Sequence, residues 1–319
     1  MEGNTTAILI LNYNCASETM DCIQSIEACN TAPVKYIVVD NASSKPGETD
    51  LLDQFFSQSN RSYRRFSDSD NPEKDLPYYT FVCCCKNVGY AQGNNKGLAF
   101  AYEDPSIRNI LILNSDILFS EDILPTLIRF QQQRNDAGLI TPLIVSRKGS
   151  IDHCCARNNL SNWDIILLFA LFQRNPFGML SPVFRRQRIL LNNPALLEHS
   201  FFPVELVSGA CMLIDKALFQ RIGGFDPNTF LYYEENILFK KLQSVSRISY
   251  CVPSVKCTHL GAGSTQHSPS AFLQQCNLDS AGYYLTHYGQ MSVLQRIAWP
   301  VVKGAWRLKF MIKGTRKTA

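Results

Sequence analysis

The chain has 319 residues, 45% of them hydrophobic and 18% charged, a composition that supplies a sizeable core and excludes disorder over most of its length. The net charge is only +4, too little to make the whole chain a polyanion binder, and no nucleic acid partner is expected. No apolar run approaches the roughly 20 residues a membrane-spanning helix needs.

In chain order, Ala7 to Leu11 is an apolar, β-prone run that stops at Asn12-Tyr13-Asn14, and Ser17 to Cys29 carries Met20, Ile23 and Ile26 at helical spacing. Tyr36 to Val39 predicts a second strand, ended by the turn and cap residues Asp40-Asn41-Ala42-Ser43. Strand, helix and parallel strand make a βαβ start. The polar stretch Ser57 to Pro77 reads as a surface loop. Phe81 to Cys85 predicts a third strand running into a loop, Lys86 to Asn95, whose glycines permit close backbone approach, with a helix from about Lys96 to Tyr102. Ile110 to Leu113 predicts a fourth strand, ending at Asn114-Ser115-Asp116. Order is less regular after Leu139 and returns with an alternating strand at Val204 to Ile214 and a short helix at Lys216 to Arg221, closed by Gly223-Gly224.

Several constellations carry chemistry. Asp40 at a strand end can accept hydrogen bonds from a base or ribose, or can simply cap a helix. The Asn87 to Asn95 loop combines small residues with amides that could line a nucleotide, although it is neither GxGxxG nor a Walker A, and a plain turn is the default for it alone. Asn114-Ser115-Asp116 offers hard oxygen ligands of the kind that suit Mg²⁺ or Mn²⁺, or a strand-ending turn. Glu234 and Glu235 sit in an aromatic segment where partial desolvation would raise a carboxyl toward the range of a general base; the alternative is an acidic first turn for the helix carrying Ile237, Leu238 and Leu242. His259 follows a strand ending at Cys257, among glycines that permit close approach to phosphate or metal.

Taken in order, the segments LNYN, VVDNAS, NVGYAQGNN, LNSD, GGFD with YYEE, and HLGAGS make the chain resemble the family 2 glycosyltransferases of the GT-A fold, especially rhamnosyltransferase-like enzymes of bacterial surface polysaccharide assembly. The resemblance covers about Ala7 to Ser264. It implies an α/β, GT-A fold with a Rossmann-like, mostly parallel central sheet flanked by helices. A catalytic domain would span 1–265, with a nucleotide-sugar-binding half at 1–120 and an acceptor half at 121–265. A helical, basic C-terminal extension would occupy 266–319. By the same resemblance Asn12, Tyr13, Asp40, Asn87, Gly93, Asn94 and Asn114 would line the nucleotide sugar, and Asp116 would bind Mg²⁺ or Mn²⁺ with His259 helping to hold metal or diphosphate. Glu235 would be the catalytic base of an inverting transfer to an acceptor hydroxyl, the acceptor being a saccharide or a lipid-linked saccharide.

Three positions depart from that pattern: Asn114 stands first in the reduced DXD motif, Glu235 stands where Asp is common, and Ile237 stands where relatives often have another Asp. The competing reading from another class is a non-catalytic nucleotide-binding scaffold or regulatory protein of the same fold; loss of Asp116 or Glu235 would favour it, and both are present. A dehydrogenase would need GxGxxG after the first strand, which is missing.

From Met291 to Ala319 the chain has Arg296, Lys303, Arg307, Lys309, Lys313, Arg316 and Lys317 but no acid, interleaved with Trp299, Val301, Val302, Trp306, Leu308, Phe310 and Met311. Such a segment suits the surface of an anionic membrane or a helical pair packed on the catalytic domain with a basic tail. The first dozen residues lack the pattern of a secretory leader, so the expectation is a cytoplasmic protein, with 291–319 as a peripheral contact at the inner face of the cytoplasmic membrane. The 12 cysteines are then expected as thiols; Cys83-Cys84-Cys85 and Cys154-Cys155 have neither zinc spacing nor an easy disulfide.

Overall fold

The computed structural model describes residues 4–152, 154–172, 187–261 and 270–315. Its centre is a sheet built on strand β1 (Thr5–Asn12), which pairs in parallel with β2 (Val34–Asp40) on one side and β5 (Ile107–Asn114) on the other. Beyond β2 come β4 (Tyr79–Cys83) and the edge strand β3 (Tyr63–Ser67), both parallel. Beyond β5 lie β11 (Cys211–Asp215), antiparallel, then β7 (Ala137–Ser146) and β12 (Ile248–His259), which run parallel to each other. Two short strands, β6 (Ile117–Leu118) and β9 (Phe202–Val204), pair antiparallel with β12. A separate ribbon joins β8 (Ala156–Arg157) to β10 (Leu206–Val207). The sheet is thus mostly parallel and covered by helices, as the motifs implied.

Covered parallel strands bury both faces and so read as unbroken apolar runs, which is why Ala7, Ile8, Leu9 and Ile10 are all fully buried. The crossover helices are α1 (Ala16–Cys29), α2 (Glu48–Ser57), α3 (Gly89–Glu103) and α4 (Leu124–Gln133). The sheet order branches between β1 and β5, so their carboxyl ends, at Asn12 and Asn114, open the crevice where ligands of such sheets bind.

Three expectations need correction. The stretch read as a loop at Lys86 to Asn95 becomes helical at Gly89, because Gly93 and Gly97 turn inward against the sheet and let α3 sit close; a Cβ on Gly93 would come within 2.6 Å of Leu11 Cδ1. The Ser57 to Pro77 loop contains β3, whose Arg64 and Arg65 face solvent at a sheet edge. Val204 to Ile214 is not one strand: it breaks into β9's last residue, β10 and β11, with the turn Ser208–Gly209–Ala210 between the last two.

The chain closes with α5 (Asn162–Leu167) passing into a π-helical turn (Leu168–Phe172), a short α6 (Ile189–Asn192), α7 (Lys216–Arg221), α8 (Glu234–Ser244), α9 (Ser270–His287) and α10 (Val293–Thr315). Helices α9 and α10 form a pair against α5, sharing a second core of Ile165, Phe169, Ile237, Tyr284, Trp299 and Trp306. The aromatic tail is therefore partly a packing device, with Trp306 Nε1 donating to the Phe169 carbonyl at 2.6 Å. The 265/266 boundary, the Ala262-Gly263-Ser264 end of HLGAGS, and Arg316 and Lys317 lie outside the described residues.

Candidate active site

At the end of β1, Asn12 is fully buried and its amide donates to Asp40 Oδ1 at 3.0 Å and to Ser43 Oγ at 3.1 Å, while Thr19 donates to Asn12 Oδ1 at 3.0 Å. Asp40 also accepts from Ser43 Oγ at 2.5 Å and from Thr49 Oγ1 at 2.7 Å. The two strand ends are in register, Asn12 opposite Asp40, so the pairing follows directly from the parallel ladder. Tyr13 is half-buried in the turn beyond.

Asn41 ties this cluster to the next motif: its amide donates to Asn87 Oδ1 at 3.0 Å and to the Gly89 carbonyl at 3.1 Å, and its Oδ1 accepts from Val88 N at 3.0 Å. Within α3, Asn94 is fully buried, donating to the Tyr90 carbonyl at 2.9 Å, and its Oδ1 has no hydrogen-bond partner. The rest of the motif turns toward the GGFD segment. Tyr90 N donates to the Phe230 carbonyl at 2.7 Å, Gln92 to the Pro227 carbonyl at 2.8 Å and Asn95 to the Phe225 carbonyl at 2.9 Å. Much of NVGYAQGNN thus binds protein and steadies the loop that leads to Glu235.

Asn114 ends β5, with its N–H donating to the Ala210 carbonyl at 3.0 Å. Asp116, 1% exposed, lies two residues on, and His259 at the end of β12 brings Nε2 within 3.4 Å of its Oδ2. The other ring nitrogen, Nδ1, lies 2.7 Å from Asp152 Oδ2, which fixes the ring orientation. Burial opposes a charge on His259, but hydrogen bonds and attraction from Asp116 and Asp152 outweigh it and raise its pKa to about 10.

Glu235 stands at the start of α8. The backbone reaches it through consecutive left-handed residues, Tyr232 at φ 75° and Tyr233 at φ 70°, a conformation disfavoured for bulky side chains. Its Oε1 accepts from Gly209 N at 3.1 Å and lies 3.7 Å from Arg157 Nη2. Gly209 is small of necessity, since a Cβ there would be 3.1 Å from both Glu235 Oε1 and the Tyr90 hydroxyl. The neighbouring Glu234 is buried, and desolvation first, then the charge of Glu235, push its pKa up to about 8. The carboxyl raised by desolvation in the aromatic segment is therefore that of Glu234.

The turn Ser208–Ala210 links the end of β5 to the start of α8: the Asn114 N–H donates to the Ala210 carbonyl, and the Gly209 N–H donates to Glu235. Asp152 lies against His259 and Arg157 against Glu235.

No family model matches the chain. In sequence it is 26% identical over 231 residues to the low-salt glycan biosynthesis hexosyltransferase of Haloferax volcanii, covering 72% of this chain and 58% of that protein. It is 28% identical over 197 residues to the N-acetylglucosaminyl-diphospho-decaprenol L-rhamnosyltransferase of Mycobacterium tuberculosis, covering 59% of this chain and 60% of that protein. The chain thus spans well under two thirds of the length of these curated relatives. Among solved structures it superposes on GalNAc-T7 with UDP, GalNAc and Mn²⁺ at TM-score 0.56 and 15% identity, over 80% of this chain and 44% of that one. It also superposes on a mannosyltransferase from Pyrobaculum calidifontis in complex with GDP-Man and Mn²⁺, at TM-score 0.52 and 13% identity, over 96% and 74%. The fold is GT-A. The glycosyltransferase resemblance read from the motifs agrees with the sugar-transferase names of the sequence relatives, and the solved structures add the likeness of fold.

Within this GT-A frame, sequence reading missed Asp152, Arg157, Gly209 and Tyr90. Asp152 and Arg157 fall in the irregular stretch after Leu139 and carry no local signature; Gly209 interrupts an alternating strand, which is the usual mark of a close backbone approach. Among the described residues no three His, Cys, Asp or Glu side chains converge to hold a metal unaided. Asp116 nevertheless suits a divalent cation that takes its remaining ligands from phosphate oxygens and water, and the oriented Nε2 of His259 would join it only once the cation had displaced the ring's proton.

Proposed function

We propose that the protein is an inverting glycosyltransferase that moves a hexosyl or deoxyhexosyl group from a nucleoside diphosphate to a hydroxyl of a saccharide or lipid-linked saccharide. The observation that carries this reading is the pair of carboxylates each set beside a basic side chain, Asp116 beside His259 at a strand end and Glu235 beside Arg157 and the Gly209 N–H. Both curated relatives bear sugar-transferase names, one with a polyprenyl-diphosphate acceptor.

In this reading Asp116, with His259 once its ring had lost a proton, would hold Mg²⁺ or Mn²⁺, which would neutralise the diphosphate as it leaves. Glu235 takes the proton of the acceptor hydroxyl. The freed oxygen attacks the anomeric carbon, and the bond to the diphosphate breaks on the opposite face with its electron pair, so a single base suffices and the configuration inverts. Asn12, Asp40, Asn87 and Asn94 act mainly through the protein: their hydrogen bonds brace the crevice floor against which the nucleotide sits.

We assign the work to the cytoplasmic face of a membrane in surface polysaccharide assembly. Helix α10 turns Trp299 and Trp306 inward yet leaves Leu294, Ile297, Val301 and Leu308 exposed along one side, with Arg296 and Lys309 nearby. All 12 cysteines are free thiols, and no described helix is long and apolar enough to cross a membrane. Flotation with anionic liposomes tests this part: Ile297→Glu with Val301→Glu, both at exposed positions, should abolish co-flotation, and unchanged flotation would refute it.

The activity is tested by a donor screen with Mg²⁺, Mn²⁺ or EDTA and a panel of nucleotide sugars, following nucleoside diphosphate release with candidate saccharide acceptors. Release from one donor, lost with EDTA, in Asp116→Ala and in Glu235→Gln, supports the reading. If no nucleoside diphosphate binds in the presence of either metal, the transferase reading falls.

A further inference from the structure

Glu235 is gripped through one oxygen. Gly209 N donates to Oε1 at 3.1 Å and Arg157 Nη2 lies 3.7 Å from the same atom. Arg157 reaches this place because β8 pairs antiparallel with β10, setting Arg157 opposite Leu206, just before the Ser208–Ala210 turn. The two side chains are 18% and 22% exposed, so water screens their attraction only in part. Among the described residues the buried Arg157 Nε has no hydrogen-bond partner, which is a costly way to place a guanidinium whose purpose is stability alone.

The groups facing Glu235 come from several elements. Glu234 adjoins it on α8. Tyr90 on α3 donates its hydroxyl to the Gly209 carbonyl at 2.8 Å, and burial, then Glu235 and Glu234, push that phenol well up. Cys154, beside Arg157 and Arg188, also feels the Glu235 charge. Glu234, Tyr90 and Cys154 can add only negative charge, and Arg157 offsets it.

We propose that Arg157 is a positioning residue that orients the Glu235 carboxylate with the help of Gly209 and supplies the opposite charge that faces it, leaving Oε2 to take the acceptor proton. This rests on Glu235 being the base. Its consequence is that the placement of the base is set from a short ribbon outside the sequence motifs, by a residue that acts through another.

The test is the pH–rate profile of transfer, with the donor and acceptor selected by the screen at saturating Mn²⁺, for the wild type, Arg157→Gln, Arg157→Lys and Glu235→Gln. In Arg157→Gln the acid limb should move to higher pH by about one unit, because an opposite charge at this range favours the ionised acid. The maximal rate should fall while the donor KM stays near the wild type, and Arg157→Lys should restore most of the acid limb. Thermal melts show whether each variant is folded; if Arg157→Gln is not, the limb of Arg157→Lys against wild type at high and low salt carries the test. An unchanged acid limb in folded Arg157→Gln overturns the proposal. Wild-type transfer by Glu235→Gln overturns instead the assignment of the base on which it rests.

Discussion

The carboxylates at the two sides of the crevice live in opposite conditions. Asp40 receives hydrogen bonds from Asn12, Ser43 and Thr49, all from within the protein, and sits on regular backbone at a strand end. Glu234 and Glu235 follow two consecutive left-handed tyrosines, each costing about 1 kcal/mol or more, and one of the acids is raised by burial. A fully satisfied polar network rigidifies, whereas strain and unfavourable burial persist only where something else holds them in place. Asp40 thus belongs to a fixed frame, whereas the Glu234–Glu235 segment is held under strain and burial, the condition expected of the proposed base.

Paired substitutions sharpen that contrast. Glu235→Gln should lower transfer by about 10²- to 10⁴-fold, as loss of a general base does, while leaving the melting temperature nearly unchanged. A large loss of stability with little loss of rate would break the comparison. Asp40→Ala should behave the other way in a melting experiment. It leaves the Asn12, Ser43 and Thr49 donors without their acceptor, a loss of about 3 kcal/mol, and for a chain of 319 residues a drop of about 4–5 °C.

The frame was the legible side. Ala7 to Leu11 and Ile110 to Leu113 read as strands because burial on both faces leaves unbroken apolar runs. The strand ends at Asn12, Asp40 and Asn114 were legible for the same reason, as polar residues closing those runs. The start of α3 was not, because Gly89 and Gly93 signal a loop locally and only packing against β1 and the Phe225–Phe230 segment makes them helical. Edge strand β3 was hidden by its exposed arginines. Arg157 could not be read at all: its place depends on the β8–β10 pairing, which brings together distant parts of the chain, and no periodicity records that.

A smaller effect tests how the C-terminal pair supports the poised side. Asp226 accepts from Tyr288 at 2.6 Å and Tyr283 at 3.0 Å, both on or just after α9, and Ser280 donates to the Leu231 carbonyl at 2.9 Å. Burial opposes the Asp226 charge, but the Tyr288, Asn228 and Tyr283 donors outweigh it and hold its pKa below the usual carboxylate range. Tyr288→Phe should therefore cost about 1.5 kcal/mol, the value of one hydrogen bond to a charged acceptor. If α9 steadies the left-handed turn before Glu235, the rate should fall with it, measured at a temperature where the variant is fully folded. A destabilised variant with an unaltered rate would confine the tether to stability.

The smallest expected effect concerns Glu234, and its sign separates poise from frame. A carboxyl raised from 4.5 in the unfolded chain to about 8 in the folded one binds its proton more tightly when folded. Its contribution is fully present below about pH 4.5 and is lost as the pH rises through about 8. Glu234→Gln keeps the shape and removes the ionisation, so the variant should gain on the wild type as the pH rises across that window. Melting curves at pH 5, 7 and 9 should show a difference that grows in the variant's favour toward the alkaline end. A difference that shrinks with pH would mean that Glu234 is held as a carboxylate, and the acid beside the proposed base would then belong with Asp40 as part of the frame.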